Sequence, residues 1–145
     1  MIAIDTNVLV RMLIDDDEVQ STTARRVLTL AEARGLQILV LSEVLVETVW
    51  VLESVYHCDR KEISGFLEKL ALTGTFALID PQMIRRVIEH YKKRGDFADL
   101  MIVHQAMSRK AVKLFSFDRK LQKAFPGYVV KDFNEENIQL FTSPR

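Results

Sequence analysis

An α/β fold with a central, mainly parallel β-sheet of four or five strands and helices on both faces is predicted by two patterns. Short apolar runs of strand length alternate with stretches of helix length along the chain. One of these runs, Gln37-Ile38-Leu39-Val40-Leu41, is continuously apolar after Gln37, as suits a strand covered on both sides of a parallel sheet.

Each element has a local reason. Ile2 to Asp5 reads as the first strand, and Asp5-Thr6-Asn7 then turns the chain into a short helix from Asn7 to Leu13. Asp15, Asp16, Asp17 and Glu18 lead into a helix from Val19 to Arg34. Consecutive acids at a helix start are favoured by the helix dipole, so they read as solvated charge and not as a metal site. Gly35 supplies the stop. After the Gln37–Leu41 strand, Ser42 is a candidate cap for a helix to Tyr56, on which Val44, Leu45, Val49, Val51, Leu52 and Val55 make nearly every side apolar. That distribution predicts deep packing. Glu47, in the second turn among these neighbours, therefore reads as a buried carboxylate that needs a purpose. Glu43, one turn earlier, complements the dipole.

Asp59 and Glu62 have capping-box spacing and open a helix to Leu72. Phe76 to Ile79 is the third strand. Asp80-Pro81 places a cap before a proline at the first helical position, starting a helix to Arg94. Gly95 closes it, and Asp96-Phe97-Ala98-Asp99 opens the next, to Arg109. Val112 to Ser116 is the fourth strand, Asp118 begins a short helix, Val129-Val130 is a short fifth strand, and the tail from Asn134 is polar. At 145 residues and 48% hydrophobic content the chain suits one domain, 1–145, with a single core.

Composition excludes several classes. Twenty basic and twenty acidic residues cancel, so the chain does not grip duplex nucleic acid by overall charge, and any such binding rests on local patches. One cysteine, Cys58, permits neither an internal disulfide nor a cysteine-rich zinc site and reads as a small packed hydrophobe. His57, His90 and His104 lack zinc-ligand spacing. No run is long and apolar enough for a membrane span, and the first residues lack the basic and apolar regions of a signal peptide. A cytoplasmic protein without membrane contact is expected.

The chemistry gathers on four acids. Asp5 ends the first strand, Glu47 lies early in the helix after the second, Asp99 lies in the first turn of a helix, and Asp118 follows the fourth strand. In a parallel sheet the carboxyl ends of the strands and the amino ends of the following helices share one rim, where ligands bind. Chain order puts Asp5, Glu47 and Asp118 there; Asp99 follows a helix and is placed less directly. Converging carboxylates repel, which raises pKa values or recruits a cation. An oxygen-only donor set favours Mg²⁺ or Mn²⁺ over zinc.

Four stretches, Ile4-Asp5-Thr6-Asn7-Val8-Leu9-Val10-Arg11, Glu47-Thr48-Val49-Trp50-Val51-Leu52, Asp96-Phe97-Ala98-Asp99 and Ser116-Phe117-Asp118-Arg119, resemble in order and spacing the PIN-domain ribonucleases. The likeness is particularly to the VapC-type toxins of bacterial and archaeal toxin–antitoxin pairs. It implies a PIN-like three-layer fold and a metal site of Asp5, Glu47, Asp99 and Asp118, with Asp96 as an accessory. Ser116 stands where many relatives carry threonine and keeps the hydroxyl. The resemblance further implies an RNA substrate, a cognate antitoxin and a homodimer.

Phosphodiester hydrolysis needs an activated water and positive charge on the phosphoryl oxygens, and a bound cation supplies both. Asp5 and Asp99 are the candidates for closest approach to it, with Glu47 and Asp118 holding waters or a second ion. Thr6, Asn7 and Ser116 are candidates to orient these acids; helix capping and turn formation explain them equally well. Arg11, Arg119 and Lys120 are candidate RNA contacts, whereas Lys92-Lys93-Arg94 closes a helix and complements its dipole. Two rival classes also place an acid after the first strand. A dehalogenase-type phosphatase has a second aspartate where this chain has Asn7, a receiver domain needs acids and a lysine absent from this pattern, and neither accounts for Glu47. An RNA-processing nuclease outside a toxin pair and a non-catalytic RNA- or partner-binding PIN domain remain as alternatives.

Overall fold

A computed structural model describes residues 1–132, Asn134 and Glu135; most of the polar tail from Asn134 therefore lies outside the described residues. The chain divides into a unit of Met1–Met101 and one beginning at Ile102. The first contains β1 (Ile2–Ala3), α1 (Thr6–Leu13), α2 (Glu18–Arg34), β2 (Ile38–Val40), α3 (Ser42–Ser54), α4 (Arg60–Leu72), β3 (Phe76–Leu78), α5 (Pro81–Lys93) and the start of α6 (Phe97–Ser108). The second contains the rest of α6, β4 (Leu114–Phe115), α7 (Arg119–Ala124) and β5 (Val129–Val130).

All described strand pairings are parallel, as expected of an α/β fold. The strands do not form one sheet of four or five. β1, β2 and β3 make a three-stranded sheet in that order, while β4 and β5 pair separately. Ile38 of the central strand lies opposite Ile2 on one side and Phe76 on the other. Ile38 and Val40 are fully buried and Leu39 is half-buried, so both faces of this strand are covered, which is why it lacks polar alternation. The strands are shorter than their apolar runs because helix capping begins at once. By Asp5 the chain has left the ladder, and its carboxylate accepts the Val8 N–H at 3.1 Å.

The capping signals translate directly. Gly35 ends α2 with φ +62°, Asp59 and Glu62 form the capping box of α4, and Asp80 caps α5 ahead of Pro81; α2 begins at Glu18, with Asp17 of the acidic turn as a cap not assigned from the sequence. Ser42 behaves differently from the expectation. It is the first helical residue of α3, Leu41 occupies the cap position without a side-chain bond, and the Ser42 hydroxyl is buried with no partner among the described residues.

Packing also corrects the reading of α3. Val44, Leu45, Thr48, Val49 and Leu52 are buried, but Glu43, Glu47, Trp50 and Ser54 form an exposed stripe at i, i+4, i+7 and i+11. The helix is thus amphipathic by position although its outer face carries Trp50 at 63% exposure. Glu47 is not a buried carboxylate, and no burial penalty demands a functional explanation for it. α1 packs against α2 and α3, and α4 against α5. Leu9, Leu45, Leu52, Ile63, Ile84 and Val87 are almost wholly buried in the first unit. Burying each contributes about 1.5–3 kcal/mol before the entropy of ordering is subtracted. In the second unit Val103, Leu121 and Val129 form a smaller core flanked by Leu114, Phe125 and Tyr128.

Among the described residues, no helix is long and apolar enough to cross a membrane. Cys58 is half-buried, and burial, with Glu62 and Asp59 nearby, pushes its thiol pKa up.

Candidate functional site

Asp5 is exposed where β1 gives way to α1. One carboxylate oxygen accepts the Val8 N–H, and the other has no hydrogen-bond partner among the described residues. Asp118 repeats this arrangement in the second unit, between β4 and α7. Its Oδ1 accepts the N–H groups of Lys120 and Leu121 at 2.8 and 3.1 Å, while Oδ2 has no described partner. Each helix start orients its acid through its own unsatisfied amides, so both side chains are held by local backbone and both present an unused oxygen.

Ser116 supports the second of these acids. Its hydroxyl accepts the Asp118 N–H at 3.1 Å, and its carbonyl accepts from Gln122 Nε2 at 2.8 Å. The turn of Ser116, Phe117 and Asp118 is therefore tied from both sides. Thr6 is buried at the start of α1, and Asn7 is exposed.

Asp96 carries out the first-turn duty of α6, accepting the Asp99 N–H at 3.1 Å. Asp99 is half-buried in the first turn of that helix. Glu47 is exposed on α3 and makes no hydrogen bond or ion pair with a described residue. The structure brings Asp5, Asn7 and Arg11 to one cleft of about 350 Å³, which Gln20 and Val19 of α2 also line. It brings Asp96 and Asp99 together through the backbone. Within either unit no three His, Cys, Asp or Glu side chains among the described residues form a group that could hold a metal ion. Asp5 and Asp118 instead cap the starts of their own helices. The chemistry of the four acids nevertheless suits a hard cation, since all four are carboxylates.

Arg11 is engaged within the first unit. Its Nη1 donates to Asp16 and, at 3.0 Å, to the Tyr56 hydroxyl, while Nε donates to Gln20 at 2.8 Å. Tyr56 in turn donates to Asp16 at 2.7 Å. That bond, followed by the Arg11 guanidinium, holds the Asp16 carboxyl below its ordinary pKa. The acidic turn before α2 is thus a local tie as well as solvated charge. Arg119 and Lys120 are exposed beside Asp118.

Two contributors carry little sequence signal. Arg60 donates through Nη1 to the carbonyls of Tyr91 and Gly95, and its guanidinium lies 4.5 Å from the centre of the Tyr91 ring, bracing the turn that leads to Asp96 and Asp99. Its partners are 31 and 35 residues away, beyond any local pattern. Phe117, at 91% exposure, stands beside Asp118 in a turn, where no helical or strand period assigns it a side.

The family model of the PIN domain matches residues 2–125, which carry all four acids. The chain belongs to the PIN-domain family. Over 121 residues this PIN-domain chain is 29% identical to the VapC ribonuclease of Aquifex aeolicus (strain VF5), covering 83% of this chain and 89% of that relative. It is accordingly VapC-like. No solved structure matches it.

Proposed function

We propose that this PIN-domain chain is a Mg²⁺- or Mn²⁺-dependent endoribonuclease and the toxin of a type II toxin–antitoxin pair. The observation that carries the reading is the repeated arrangement of Asp5 and Asp118. Both are exposed acids after a parallel strand, each with one oxygen tied to a helix start and the other without a described partner. The likeness to a VapC ribonuclease supplies the substrate class.

Asp5 and Asp99 would hold the divalent cation, with Glu47 and Asp118 as further carboxylates. When bound, such a cation acidifies water and draws charge from a phosphoryl oxygen. The protein's own contribution is orientation. Asp5 and Asp118 are aligned by backbone amides, Asp96 secures the first turn beneath Asp99, and Ser116 braces the turn before Asp118. Arg119 and Lys120 provide charge for RNA phosphates. A protein antitoxin, a homodimer and a cytoplasmic setting complete the reading, and the family match through residues 2–125 supports a single functional domain.

Incubating the purified protein with single-stranded RNA while titrating Mg²⁺ or Mn²⁺ tests the activity. Cleavage should require the cation and disappear in Asp99→Asn with an unchanged circular dichroism spectrum. Cleavage persisting in chelator, or at wild-type rate in the variant, overturns the reading. For the toxin role, expression alone should arrest growth and coexpression with a small protein encoded alongside should relieve it.

A further inference from the structure

We propose that Phe117 is a stacking platform for a base of single-stranded RNA, in a subsite whose cations hold the flanking phosphates; this rests on the ribonuclease reading and extends it to how the strand is gripped. Within the second unit, a cleft of about 440 Å³ is lined by Phe117, Arg119, Gln122, Lys123 and Lys131. Of these five described residues three are cationic and none is acidic. No described residue forms an ion pair with any of the three.

The local physical chemistry argues against this arrangement as mere surface. A phenylalanine side chain at 91% exposure gains almost nothing from folding. Arg119 sits in the first turn of α7, where the helix dipole disfavours a cation. Arg119 and Lys123 are four residues apart on the same helix, where like charges repel. A polyanion offsets both charge penalties, and a nucleobase covers the ring. RNA fits better than a protein partner because a bare aromatic flanked by cations is the combination that binds single strands without sequence preference.

The turn that carries the platform is also restrained before binding. Ser116 accepts from Asp118 N–H through its hydroxyl, and its carbonyl accepts from Gln122, so the residues on both sides of Phe117 are restrained. Association then has to order only the side-chain torsions of the ring and not the turn that carries it.

The test uses fluorescence anisotropy of labelled octaadenylate RNA in chelator, so that cleavage does not interfere, with an abasic octamer of equal charge as the second probe. Phe117→Leu should weaken octaadenylate binding about tenfold, from the usual worth of one stacked base. Phe117→Trp should retain it. Binding of the abasic octamer should be the same in all three proteins and fall with added salt, and Lys123→Glu should weaken both probes. Thermal melting of Phe117→Leu should match the wild type, since the side chain is exposed. Equal octaadenylate affinity in wild type and Phe117→Leu overturns the platform even if the protein cleaves RNA, and assigns the exposed ring to a protein contact. Failure of the wild type to bind either probe overturns the subsite, while the ribonuclease reading stands or falls by the cation-dependent cleavage assay. Phe117-dependent binding without metal-dependent cleavage supports the subsite and removes only the nuclease reading.

Discussion

Arg60 Nη1 donates to the Gly95 carbonyl at 2.8 Å, tying the start of α4 to the turn between α5 and α6. The same atom reaches the Tyr91 carbonyl at 2.8 Å, and the Tyr91 ring lies beneath the guanidinium while its hydroxyl donates to Glu53. Gly95 has φ +98°, a conformation that suits glycine, and a Cβ there would come within 3.2 Å of Leu100. One arginine thus braces the backbone immediately before Asp96 and Asp99. Arg60→Met keeps the length of the stem and removes both charged hydrogen bonds, so unfolding free energy should fall by about 1.5–3 kcal/mol in urea titration. RNA cleavage should decline with it, and unaltered stability would show that the brace has no thermodynamic weight.

Asp5 has two separable duties. As the cap of α1 it is replaceable by asparagine, which accepts the same Val8 N–H, whereas alanine is not an acceptor. Asp5→Asn should melt like the wild type and Asp5→Ala should lose about 0.5–2 kcal/mol. Both should be inactive, because both lack the charge. Activity in Asp5→Asn would reduce the residue to its capping role.

Glu47, exposed and without a described partner, should contribute almost nothing to folding. Glu47→Gln is expected to change stability by less than about 0.5 kcal/mol. Mn²⁺ binding measured by calorimetry should nevertheless weaken. Equal affinities would remove Glu47 from the cation-binding set.

The tie of Tyr56 to Asp16 makes stability depend on acid. The folded pKa of Asp16 is held below its ordinary 3.8, first by the Tyr56 hydroxyl and then by Arg11. Its contribution is therefore complete above 3.8 and is lost as pH falls through the lower folded value. Tyr56→Phe should be less stable than wild type at neutral pH, and the difference should narrow as pH drops below 3.8. A difference that stays constant across that range in urea titrations would exclude the carboxylate as the source.

Much of the architecture was legible because it is local. Asp5, Asp59, Asp80 and Asp118 mark helix starts by accepting amides two or three residues ahead, and Gly35 marks a stop by adopting a left-handed conformation. The apolar run at Ile38–Val40 announced a strand covered on both sides. Order and spacing of the four acids were likewise readable, since they lie in short stretches whose sequence resembles a family.

Tertiary structure decided what depends on partners far along the chain. An apolar census of α3 could not show that Glu43, Glu47 and Trp50 share an outward face, because burial follows from the orientation of the helix against its neighbours. Five strand-like runs did not reveal a division into three and two, since hydrogen-bonded pairing is a relation between strands. Arg60 became a brace only when α4 met the α5–α6 turn, and Arg11 became a structural tie only when Asp16 and Tyr56 met beside it. The caps at Asp59 and Asp80 and the stop at Gly35 are settled by hydrogen bonds within a few residues, and the sequence alone determined them. Exposure, strand pairing and the engagement of long cationic side chains are settled by non-local packing, and only the folded chain could determine those.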